Sequence, residues 1–114
     1  MMSEFNFNNK TFSLIENTEN GKVNSETVFK YKQKGNIVTA DYFGGTIKYG
    51  KIIAHLKNDK LNMLYQCITT ENELKAGKAI ATVSLTDNSK MKLKLNWEWL
   101  EKDNGSGISE YIEN

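Results

Sequence analysis

The chain has 114 residues, 39% of them apolar and 25% charged, and its 15 basic residues are all lysine, set against 14 acids for a formal net charge of +1. This is enough for one domain around one core, too short for a catalytic domain beside a cofactor domain, and too apolar for a disordered segment. Near-neutral charge and the absence of arginine leave no surplus for gripping a phosphate backbone and no bidentate base reader, which argues against a nucleic-acid partner.

Residues 1–10 are polar and asparagine-rich, and they read as a loose arm that tucks Phe5 or Phe7 against a body spanning 11–114. Thr11 to Glu16 reads as a first short strand, ended by the turn signal of Asn17 to Gly21, where Asn20-Gly21 is the strong pair. From Thr27 to Gln33 the alternation places Phe29 and Tyr31 on one face and Lys30 and Lys32 on the other, the pattern of an antiparallel strand over a core. Lys34-Gly35-Asn36 turns the chain into Ile37 to Phe43, with Val38, Ala40 and Tyr42 on one face.

Gly44-Gly45 suits a two-residue type I′ loop, whose central residues both need positive φ. The strand that follows, Thr46 to Leu56, contains Gly50, which reads as a bulge or bend. After Lys57 to Lys60, a further strand from Leu61 to Thr69 places Met63, Tyr65 and Cys67 together. Residues 71–82 are ambiguous. Thr70 to Glu73 matches a capping box and good helix formers follow, yet Gly77, the β-branched Ile80, Thr82 and Val83, and the lack of a helical apolar stripe favour a strand. Beyond the turn at Thr86 to Ser89, Met91, Leu93, Leu95, Trp97 and Trp99 alternate with Lys92, Lys94, Asn96 and Glu98, which no helix would sort that way. Asp103 to Gly107 reads as a loop and Ile108 to Ile112 as a closing strand.

About eight strands joined by tight turns predict an all-β protein with a single antiparallel up-and-down meander barrel, because closure removes both sheet edges. A β-sandwich or an open β-roll is the alternative, disfavoured because hairpin-length connections leave no room for Greek-key crossovers. Cys67 is the only cysteine in the sequence, so no internal disulfide forms, and it reads as a small buried hydrophobe. No apolar run approaches the roughly 18 residues of a membrane span, and Met1 to Asn6 lack the basic and apolar regions of a signal peptide. The expectation is a cytoplasmic protein with no membrane partner.

Thr27, Phe29, Tyr31, Gln33, Gly35, Tyr42, Gly44, Gly45, Ile47 and Gly50, then Met63, Tyr65, Gln66, Gly77, Trp97 and Trp99, carry a resemblance that runs from about Asn9 to the C-terminus. In these residues the chain resembles a group of small bacterial proteins often labelled "N-acetylglutamate synthase", which look like avidin- or lipocalin-like meander barrels. It departs from their pattern at Leu95, a position often acidic there, and at Val83, often proline. The label implies acetyl transfer from coenzyme A, which calls for a pyrophosphate cradle at a helix N-terminus and a base for the amine. Gly44-Gly45 instead lies between strands, and His55, the single histidine, sits in a strand with no obvious orienting partner. The residues therefore lean away from an enzyme. No catalytic set, cofactor motif or metal-ligand spacing is legible.

If the barrel closes with Tyr31, Tyr42, Tyr65, Trp97 and Trp99 inside, these rings and Gln33, which shares the face of Tyr31, are the candidate ligand-binding residues for a small hydrophobic or planar molecule. Gln66 falls on the opposite face from Tyr65. The competing expectation is a solid core filled by the same rings, in a structural module that forms a homo-oligomer through the faces of Leu64, Ile68 and Leu100. Lys30, Lys32, Lys92 and Lys94 fall on faces opposite the aromatics, which again disfavours RNA stacking.

Overall fold

Period-two burial organises the chain in the computed structural model, which describes residues 5–17, 25–100 and 105–114. Eight strands follow in order: β1 Thr11–Asn17, β2 Val28–Lys34, β3 Ile37–Gly44, β4 Ile47–Lys57, β5 Lys60–Thr69, β6 Leu74–Leu85, β7 Met91–Trp99 and β8 Ser106–Glu113. Each pairs antiparallel with the next, and β8 returns to pair with β1 through Phe12↔Glu113, Ser13↔Ile112 and Leu14↔Tyr111. The barrel is therefore closed, and that last pairing removes the sandwich and open-roll alternatives. The expected turn at Asn20-Gly21 and the Asp103-Asn104 part of the last loop lie outside the described residues.

The ambiguous segment is strand β6. Gly77, Ala79, Ala81 and Val83 face inward and are buried, at the period of two that a strand needs. The residues that mimic a capping box form the preceding hairpin loop instead: the Thr69 amide donates to the Glu73 carbonyl at 2.9 Å, and the Glu73 amide donates to Thr69 Oγ1 at 3.2 Å. Asn72 takes the positive φ of that loop, at 64°.

The glycine hairpin is shifted by one residue from expectation. Its two loop residues are Gly45 and Thr46, flanked by the pair Gly44↔Ile47. Gly44 belongs to β3 at φ 113°, and a Cβ there would lie 2.3 Å from the Glu26 carbonyl oxygen, so close approach of the backbone at 26–27 demands glycine. The register irregularities fall between Tyr42 and Gly44 and between Ile47 and Tyr49, not at Gly50, which pairs with Tyr42.

One end of the barrel, here the lower end, is filled by the amino-terminal arm. Phe7 is wholly buried and packs on Phe12 and Tyr31, with ring centroids 5.8 and 5.4 Å away. The arm is bonded along β2: the Asn9 amide donates to the Tyr31 carbonyl, the Tyr31 amide to the Lys10 carbonyl, and the Phe7 amide to Gln33 Oε1 at 2.8 Å. Glu113 closes the same region, accepting from the Met91 amide at 3.0 Å and pairing with Lys10 at 3.3 Å.

Phe7→Ala removes a fully buried ring and should lower stability in urea by about 3–5 kcal/mol with little change in slope; a loss near zero would mean that the ring does not fill this end. The Met91 amide first, and Lys10 after it, hold the Glu113 carboxyl below its ordinary value of 4.5. Its contribution is present above that value and is lost as pH falls through the folded value. Glu113→Gln should therefore flatten the acid limb of the stability–pH curve, measured by urea melts below pH 5 and at pH 7.

Candidate functional site

Aromatic rings occupy the interior in three tiers. Phe7, Phe12 and Tyr31 form the lowest, and in the middle Phe29 stacks on Tyr42 at 4.7 Å and meets Tyr111 edge-on at 4.9 Å. At the upper end, which carries the loops at 45–46 and 70–73, Trp99 makes edge contacts with Tyr65 at 5.7 Å and Trp97 at 5.8 Å. Trp97 is buried, whereas Tyr65 and Trp99 are half-buried.

Two of these tyrosines lie flat against the barrel wall by one device used twice. The Tyr42 ring covers its cross-strand partner Gly50, where a Cβ would fall 2.1 Å from Tyr42 Cζ, and its hydroxyl donates to the Gln66 carbonyl of β5 at 3.3 Å. Two strands on, the Tyr65 ring covers its partner Gly77, where a Cβ would fall 2.4 Å from the Tyr65 hydroxyl oxygen. That hydroxyl reaches toward the Glu98 carbonyl of β7, at 3.5 Å. Each ring thus crosses one strand and ends on the backbone of the next, and only a residue without a Cβ allows it. Gly50 is a seat for a ring and not the bend that the sequence suggests.

Polar groups inside are paired. Trp97 Nε1 donates to Ser109 Oγ at 2.7 Å, the Tyr111 hydroxyl is hydrogen-bonded to the same serine, and Tyr42 lies beside the thiol of buried Cys67. Burial is the main reason that Tyr31, Tyr42 and Tyr65 stay protonated well above the ordinary value of 10, and it pushes Tyr111 up to about 12 against the opposing bond from Ser109. These are neutral hydrogen-bonding groups at neutral pH.

Of the six residues expected to line a ligand site, Tyr65, Trp97 and Trp99 meet at the upper end, and Tyr42 stands in the middle tier below them. Tyr31 stands in the lower tier, and Gln33 is occupied at the lower rim, accepting from Phe7 and donating through Nε2 to the Gly35 carbonyl at 2.9 Å. The interior also contains residues that were not singled out from sequence as ligand-binding. Cys67, Ser109 and Tyr111 follow the alternation of β5 and β8. Lys75 follows that of β6, sharing the inward face of Gly77. His55 is exposed on the outer face.

The outer wall has a second feature. Ile37, Ile53, Leu64, Ile80 and Ile108 are exposed and line a shallow apolar groove across β3 to β8, beside the Lys78–Glu98 ion pair at 3.1 Å. Of the expected trio, Leu64 lines this groove; Ile68 and Leu100 are exposed away from it.

Residues 5–114 match a protein-family model described as Avidin-like protein. No curated protein and no solved structure matches the chain. No relative therefore supports the synthase label.

Gly50→Ala should destabilise the barrel by about 1–3 kcal/mol through overpacking, and most of that penalty should vanish in a Tyr42→Ala background, since the clash is with that ring. Equal penalties in both backgrounds would contradict the seat. All five tyrosines have raised pKa values, Tyr49 through its bond to Asp41. Their protonated forms stabilise the fold below pH 10, and this is lost as pH rises from the unfolded value toward the folded ones. Ultraviolet titration should show the tyrosinate of the four interior tyrosines appearing together with alkaline unfolding, with the exposed Tyr49 alone ionising apart from it.

Proposed function

This chain belongs to the avidin-like protein family, and we propose that it is a non-enzymatic barrel that binds a small hydrophobic, planar ligand toward its upper end, on Tyr42, Tyr65, Trp97 and Trp99. The supporting observation is the difference between the two ends. Below, Phe7, Phe12 and Tyr31 pack the interior; above, Tyr65 and Trp99 keep part of their ring surface exposed while anchored through packing and the Gly77 seat. Rigid, partly exposed rings on a preorganised wall are what a flat ligand needs, because little side-chain freedom remains to be lost on binding. Proton transfer has little support inside: the buried tyrosines stay neutral and His55 faces outward.

Dansylamide, a neutral planar fluorophore, tests the reading. Its emission should rise saturably at one molecule per chain, and Trp99→Ala and Tyr65→Ala should each weaken binding about tenfold. No saturable binding, or unchanged affinity in both variants, would contradict it.

A second reading is carried by the outer groove. Contiguous exposed isoleucine and leucine on a barrel wall fit a subunit interface, with the Lys78–Glu98 pair fixing orientation. Sedimentation velocity should then show a concentration-dependent oligomer that Leu64→Lys converts to monomer. A strict monomer at high concentration would dispose of it. The two readings are compatible, since one uses the inside of the wall and the other the outside.

A further inference from the structure

Among the described residues, Lys75 departs from the outward placing of the strand lysines. It lies two residues before Gly77 on the inward face of β6 and pairs across the sheet with buried Cys67 of β5. The side chain is half-buried, and its ammonium lies over the Trp99 indole, 5.8 Å from the ring centroid. Lys10, Lys51, Lys60, Lys78 and Lys92 each have a carboxylate within salt-bridge distance. Among the described residues, no carboxylate stands so for Lys75, nor for Lys30, Lys32, Lys34, Lys48, Lys57 or Lys94, so what sets Lys75 apart is its place on the inward face beside Trp99. Glu26, Glu71 and Glu73 share this end of the barrel, but all three are exposed.

Among the described residues, this ammonium contacts the Trp99 ring face, which offers less to a cation than an anion would. The nearby surface is aromatic: Trp99, with Tyr65 against it. We propose that the ligand of this barrel is a carboxylate on a flat apolar body, with the body on Trp99 and Tyr65 and the carboxylate on Lys75 at the rim. This rests on the binding reading above and adds the chemical class of the ligand. Lys75 is its specificity-determining residue. A charge-assisted hydrogen bond at a half-buried position discriminates an acid from its neutral amide by about tenfold.

The test compares dansylglycine, which carries a carboxylate, with dansylglycinamide, its neutral isostere. The wild-type protein should bind the acid about tenfold more tightly, and raising sodium chloride from about 0.05 to about 0.5 M should shrink that preference. Lys75→Met keeps the apolar stem and should abolish the preference by weakening the acid about tenfold more than the amide; Lys75→Arg should retain it. Equal affinity of the wild-type protein for the two probes, or a preference that survives in Lys75→Met, would overturn the assignment while leaving the binding reading standing. Saturable binding of neither these probes nor dansylamide would overturn both.

Discussion

The contact on which the interior depends is a tyrosine ring lying over a glycine on the neighbouring strand. An eight-stranded barrel is just wide enough for side chains to fill it, so large rings standing upright from the wall compete for the axis. Gly50 and Gly77 let Tyr42 and Tyr65 lie along the wall instead, and the hydroxyls then fall near carbonyls of β5 and β7. The same two glycines weaken their strands locally, since they bring no side chain to pack and lose more backbone entropy on folding. The covering rings offset that cost by supplying the missing contact. Trp97 is held differently, by its indole bond to Ser109 of the neighbouring strand β8.

The two ends consequently have different roles. Below, the arm brings Phe7 inside, and the amide group of Gln33 joins that arm to the next turn through bonds to Phe7 and Gly35. Above, the rings are held but not wholly covered, and an inward lysine stands beside them. Packing thus stabilises one end, while the other keeps polarity and partly exposed aromatic surface. The outer groove adds an apolar surface that the closed hydrogen-bond ladder leaves to side-chain packing alone.

Much of this architecture was legible from alternation. The run from Met91 to Trp99 and the pairing of Phe29 with Tyr31 specify strands with one wet face, and hairpin-length connections specify the meander. Closure itself is a long-range fact, carried by the β1–β8 register. Local signals misled where two structures use the same residues: Thr70 to Glu73 suits a helix cap as well as a hairpin loop, and Gly44-Gly45 suits a loop that is in fact Gly45-Thr46. Gly50 could be recognised as special, but its reason is a ring from another strand, which no local pattern contains. Gln33 shares a face with Tyr31, yet alternation gives the face and not the height along the barrel, so it could not show that both belong to the lower end. Lys75 had a signal: with 74–85 taken as a strand, its parity places it with Gly77, Ala79 and Ala81. The ambiguity of that segment concealed it.

Chemical-shift mapping tests the central claim, that an acidic aromatic ligand binds toward the upper end of the interior. With amide and indole groups labelled by nitrogen-15, addition of dansylglycine should move the Trp99 indole resonance and the amides of Lys75 and Gly77, leaving those of Phe7 and Tyr31 in place. Shifts confined to the outer groove, at Ile53, Leu64 and Ile80, or centred on the lower end, would contradict it.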